Sequence, residues 1–101
     1  MDKEQIKAKL AEAVKSNPYV GDIKSVAIFG SYVAGEATDD SDVDVLIDFA
    51  PSAKIGYFEL AQIQRNLRKH LGKEIDLLTP QAISKYFREE VLRQAEYFYE
   101  R

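Results

Sequence analysis

Cysteine is absent from this chain of 101 residues, and histidine occurs once, at His70. The first absence excludes disulfide frameworks, thiol nucleophiles and thiolate-bound zinc or iron–sulfur centres. The second excludes a histidine-rich metal cage and argues against a serine–histidine–aspartate triad. No apolar run approaches the roughly 20 residues of a membrane span, and nothing reads as the apolar stretch of a secretory signal. An excess of positive charge is missing too: 14 Lys and Arg stand against 17 Asp and Glu, a net charge of −3, which argues against a grip on extended nucleic acid. What is present is 46% hydrophobic residues in a length that suits one core. The expectation is a single cytoplasmic domain over residues 1–101, with no membrane association.

Ile6, Leu10, Ala13 and Val14 recur at the helical period between Asp2 and Ser16, and Asn17-Pro18 stops that helix. Ser25 to Phe29 reads as a short buried strand that ends at Gly30-Ser31. After the polar stretch Gly35 to Ser41, a second strand runs from Asp42 to Phe49. Its alternation places Val43, Val45, Ile47 and Phe49 on one face and Asp42, Asp44, Leu46 and Asp48 on the other. A helix from about Tyr57 to Lys69 with Gly72 at its C-cap leads to a third strand, Glu74 to Leu78, on which Asp76 opposes Ile75 and Leu77. Thr79-Pro80 then predicts the start of a final helix reaching about Tyr99, with Ile83, Phe87, Val91, Ala95 and Phe98 facing inward. The economical packing is α/β: a small three-stranded sheet covered by helices mainly on its apolar face, the carboxylate face left open.

That open face carries the chemistry. Asp42 and Asp44, two residues apart on a strand, have Cα atoms roughly 6–7 Å apart on one side, and Asp76 occupies an equivalent position on the following strand. Oxygen donors in this pattern suit Mg²⁺, and three aspartates could hold two such ions for an in-line phosphoryl displacement. Gly30-Ser31, directly after a strand, offers backbone amides and a hydroxyl to a phosphate. An EF-hand reading of Asp40 to Asp44 fails, because Val45 stands where glycine is required and Pro51 where the closing glutamate belongs. Asp39, Asp40 and Asp48 read as solvated charge. His70, near a helix end among Arg68, Lys69 and Lys73, reads as a complement to the helix dipole. Of the tail aromatics, Phe98 belongs to the core stripe while Tyr97 and Tyr99 read as exposed.

Gly30-Ser31, ten intervening residues, then Asp42-Val43-Asp44 resembles the signature of the DNA polymerase β-like nucleotidyltransferase superfamily. Ile28 to Ser31, Gly35 to Thr38 and Ser41-Asp42 are similar to its minimal nucleotidyltransferase branch. The resemblance covers nearly the whole chain. It implies a nucleotidyltransferase fold with a mixed sheet, ATP as substrate and two Mg²⁺ ions. It assigns the triphosphate to Gly30 and Ser31, the metals to Asp42, Asp44 and Asp76, and activation of an acceptor hydroxyl to Asp76. It also implies a setting: an antitoxin that binds an all-helical HEPN-type toxin and transfers AMP to a toxin tyrosine, in a homo- or hetero-oligomer. A length with no room for primer-holding subdomains points the same way, to an acceptor supplied from elsewhere. One departure stands out: members of the branch commonly carry arginine where this chain has Ala34. That change favours the alternative, an antitoxin that neutralises its partner by occlusion alone.

Overall fold

The computed structural model describes residues 1–101. Helix α1 (Lys3–Lys15) is opened by Asp2, whose side chain accepts from the Gln5 amide while the Gln5 side chain returns to the Asp2 amide. It turns Ile6, Leu10, Ala13 and Val14 inward, all fully buried. A 3₁₀ turn (Val20–Asp22) leads into β1 (Ile23–Phe29), and the four-residue α2 (Ser31–Ala34) follows at once. Strand β2 (Val43–Phe49) runs antiparallel to β1, α3 (Tyr57–Leu71) crosses over, and β3 (Ile75–Leu78) pairs parallel to β2. Gly72 ends α3 at φ 77°, a left-handed conformation that suits glycine.

The expected final helix is shorter and later than its sequence pattern suggests. Thr79-Pro80 starts only a 3₁₀ turn (Pro80–Ala82), and Thr79 makes no side-chain cap; Ser84 caps α4 (Lys85–Gln94) through the Tyr86 amide. Residues beyond Gln94 form a fourth strand, β4 (Glu96–Glu100), antiparallel to β1. The sheet therefore has four strands in the order β3-β2-β1-β4, a mixed sheet one strand wider than predicted. Phe87, expected to face inward, is 66% exposed.

Strand parity sorts the two faces. Val26, Ile28, Val43, Val45, Ile47, Ile75 and Leu77 meet α1 and α3 in the main core. The opposite face has a small apolar cluster of Ala27, Leu46 and Ile83, joined by Phe29, Leu78, Val91 and Ala95. The molecule measures 36 × 32 × 22 Å, and the short axis corresponds to one helix layer on one sheet, each about 10 Å thick. Coverage mainly on one face thus holds, with α4 and its preceding turn shielding part of the other. No helix is long and apolar enough to cross a membrane.

Candidate active site

The uncovered part of the second face lies where β1 ends and β2 and β3 begin. Phe29 pairs with Asp44 across the antiparallel ladder, and Asp44 lies beside Asp76 in the parallel one. Gly30, Asp44 and Asp76 therefore follow one another across three adjacent strands. Gly30 has φ 75° and ψ −144°, a region essentially closed to other residues. It is also where the Asp44 side chain rests: a Cβ at position 30 would collide with Asp44 Oδ2 and stand 3.0 Å from its Cγ. Glycine here serves both the turn and the seat of the carboxylate.

Ser31 opens α2, whose first amides have no intrahelical acceptor. Asp42 is exposed just ahead of β2, and two features of the preceding loop set its position. Thr38 and Ser41 close a turn, the Thr38 amide donating to Ser41 Oγ at 2.8 Å and the Ser41 amide to the Thr38 carbonyl at 3.0 Å. Lys73 Nζ donates to the Asp39 carbonyl at 2.9 Å, tying that turn to the start of β3. Sequence reasoning missed these positioning residues, and placed Lys73 only among the basic neighbours of His70. A Thr-x-x-Ser spacing ahead of the aspartates was the available signal.

Burial raises the pKa of the half-buried Asp44 above its ordinary 3.8, and the neighbouring charges of Asp76 and then Asp42 push it further. The three carboxylates do not converge on a single point as they stand. They are nonetheless close enough to repel, and oxygen-only donors with surplus negative charge match a hard divalent cation such as Mg²⁺. Asp39 and Asp40 are exposed, and Asp48 accepts from the Phe49 amide at 3.0 Å, away from this cluster. His70 is exposed in the last turn of α3, and Ala34 is exposed at the end of α2.

A family model described as a nucleotidyltransferase domain matches residues 7–98. Over 75 residues the chain is 33% identical to the protein adenylyltransferase MntA of Thermococcus cleftensis, covering 74% of each. Over 61 residues it is 38% identical to a Methanocaldococcus jannaschii protein provisionally named a protein adenylyltransferase; that match spans 60% of this chain and 61% of the relative. A solved structure of a protein provisionally identified as a minimal nucleotidyltransferase superposes with a TM-score of 0.75 at 33% identity, covering 95% of both chains. Likeness of fold alone extends to two complexes. One is a toxin–antitoxin solved with AMP-PNP, at TM-score 0.74 and 19% identity over 94% of this chain and 73% of that one. The other is a tri-AMPylated Shewanella oneidensis HEPN toxin with its MNT antitoxin, at 0.68 and 15% over 97% and 72%. Since the matched span takes in Gly30, Ser31 and all three aspartates, the chain belongs to the nucleotidyltransferase domain family.

Proposed function

We propose that this nucleotidyltransferase moves AMP from ATP to a hydroxyl of a partner protein, a tyrosine of a HEPN-type toxin, and thereby acts as an antitoxin in the cytoplasm. The observation that carries the reading is the row formed by Gly30, Asp44 and Asp76 across adjacent strands. Gly30 and Ser31 take the β- and γ-phosphates through backbone amides and the Ser31 hydroxyl. Asp42, Asp44 and Asp76 would hold two Mg²⁺ ions, which when bound supply charge stabilisation to the displacement. Asp76 accepts the proton of the acceptor hydroxyl as its oxygen bonds to the α-phosphorus and pyrophosphate leaves. The net negative charge argues against a grip on an extended polynucleotide, and a protein acceptor is consistent with that. The adenylyltransferase relatives and the toxin–antitoxin complexes of the same fold support the partner class.

The second reading, neutralisation by occlusion, is favoured by Ala34 standing where an arginine is common. Incubation with α-labelled ATP, Mg²⁺ and a helical HEPN-type toxin encoded beside this chain separates the two. The expected outcome is label on a toxin tyrosine, and loss of both label and neutralisation in the Asp42→Asn/Asp44→Asn double variant. An unlabelled toxin that the double variant still neutralises in full would leave occlusion as the function.

A further inference from the structure

Asn17 is the one polar residue among the buried side chains, at 3% exposure, and the proposed reaction does not use it. It sits just past the end of α1 in the wall of a cavity of about 240 Å³, whose other lining residues are Pro18, Tyr19, and Gln62 and Asn66 of α3. The cavity lies toward the end of the sheet where β1 begins, and the seven residues of that strand, about 20 Å long, separate this end from the Gly30 turn. Hydrogen bonds within the wall fix which way the three amide groups face. A backbone N–H can only donate, so the Tyr19 amide, 2.9 Å from Asn17, identifies its partner as Oδ1 and leaves Asn17 Nδ2 as a donor. Asn17 Nδ2 donates to Asn66 Oδ1 at 3.2 Å, and the Tyr19 hydroxyl donates to Gln62 Oε1 at 2.6 Å. All three side-chain carbonyl oxygens are thus engaged within the protein, whereas Asn66 Nδ2 and Gln62 Nε2 donate to no protein group.

We propose that this cavity is a second binding site, remote from the nucleotide site, and that the group it takes is a carboxylate. Gln62 and Asn66 stand one helical turn apart on the same side of α3, and each offers an amide NH₂ with two hydrogens. A ligand meeting these donors must bring oxygen acceptors, and a carboxylate brings two oxygens with about four lone-pair sites. An ammonium or guanidinium group would bring only donors. Charge narrows the class further. Lys15, Arg65 and Lys69 are exposed within a helical turn of the lining, against Asp22 and Glu59, and Glu59 already accepts from the Gly56 amide at 2.8 Å. The surplus of positive charge favours an anion. No cation lines the cavity itself, so a single negative charge is better matched than the double charge of phosphate. Pro18 and the Tyr19 ring supply an apolar side for the carbon that bears the carboxylate. A small metabolite or the C-terminus of a protein chain can present this group, and the donors recognise what the two share.

The test is titration of the ¹⁵N-labelled full chain with sodium acetate, against sodium chloride at matched ionic strength, read on the side-chain NH₂ signals of Asn66 and Gln62. The expected result is saturable shifts of both signals with acetate, none with chloride, and weaker binding of inorganic phosphate. Asn66→Asp and Gln62→Glu keep the oxygens that accept from Asn17 and Tyr19 and delete only the donors, so each should fold and melt like wild type while binding acetate about tenfold more weakly. Gln62→Met removes the donor without adding charge and should weaken acetate as well. All three variants should keep the wild-type rise in melting temperature with Mg²⁺-ATP, because the nucleotide site is elsewhere. Shifts that never saturate, equal shifts with chloride, phosphate bound more tightly than acetate, or undiminished binding by the folded variants overturns the proposal. Acetyl-Gly-Gly with a free terminal carboxylate, compared with its C-terminal amide, separates the sources. Tighter binding of the free acid than of acetate assigns a chain terminus, and acetate binding at least as well assigns a small molecule. Equal binding of the amide form overturns the carboxylate assignment. The titration contains no nucleotide, so its outcome is independent of the AMP-transfer reading.

Discussion

At the scale of single residues, Gly30 and Asp44 act as one unit. Alanine at position 30 meets a forbidden backbone region and the Asp44 carboxylate together, so Gly30→Ala should cost about 2–4 kcal/mol, combining strain with a displaced neighbour. For a domain of this size that is a fall in melting temperature of roughly 10 °C or more, measured by calorimetry, with loss of the Mg²⁺-ATP shift. Asp44→Asn should act in the opposite sense on the free protein. Because the folded pKa lies above 3.8, the native state holds more protons than the unfolded chain just above that value, and stability falls as pH rises through the window. The ionised cluster is then destabilising throughout neutral pH. Asp44→Asn should melt higher than wild type at pH 7, the difference should shrink below pH 3.8, and the Mg²⁺-ATP shift should disappear. A variant that melts lower at pH 7 would show that the cluster is already neutralised.

Among the elements, β4 depends on a clip from α1. Glu96 accepts from Lys3 at 2.9 Å and Lys7 at 3.0 Å, and hydrogen bonds to these two lysines hold its carboxyl below 4.5. The stabilisation is present above the unfolded value and lost as pH falls through the folded one. Glu96→Gln should therefore cost less than about 1 kcal/mol at pH 7, the pair being partly solvated, and the gap to wild type in urea titrations should close below pH 4.5.

The elements differ in how far the sequence reveals them. Helix α1 is legible because Ile6, Leu10, Ala13 and Val14 follow a clean helical period under a capping box. The site strands are legible because alternation isolates Asp44 and Asp76 from Val43, Val45, Ile75 and Leu77. Strand β4 is not, and a bulge explains why: Val26 pairs with Tyr99 but Ala27 with Tyr97, so Phe98 is an extra residue and both Phe98 and Tyr99 reach the main core. Two adjacent inward side chains imitate a helix and erase the period of two. The strand is determined by the vacant edge of β1, about 70 residues away in the chain, which no local pattern reports. For the same reason Tyr99, read as exposed, is half-buried while Tyr97 remains exposed. The seat of Asp44 on Gly30 is likewise a contact between distant segments, invisible to spacing.

For the whole molecule, one helix layer on a mixed sheet leaves the row of aspartates on a face that stays accessible. Ligand binding to such a site should add to global stability, because the row exists only when β1, β2 and β3 are assembled. Mg²⁺-ATP at about 100 times its dissociation constant should stabilise the fold by about 2.7 kcal/mol, which calorimetry would register as a rise of roughly 10 °C or more. ATP with EDTA should give a much smaller rise.

The strand order has one more effect. With β4 laid against β1, the sheet's outer strands are β4 and the four-residue β3. Strand β3 bears an outward carboxylate at Asp76, and its Ile75 carbonyl already accepts from the Gln64 side chain at 2.8 Å. A brief, charged, partly occupied border is a poor template for another chain to extend, so the aspartate proposed to take a proton in the reaction also guards the protein against edge-to-edge polymerisation into fibrils.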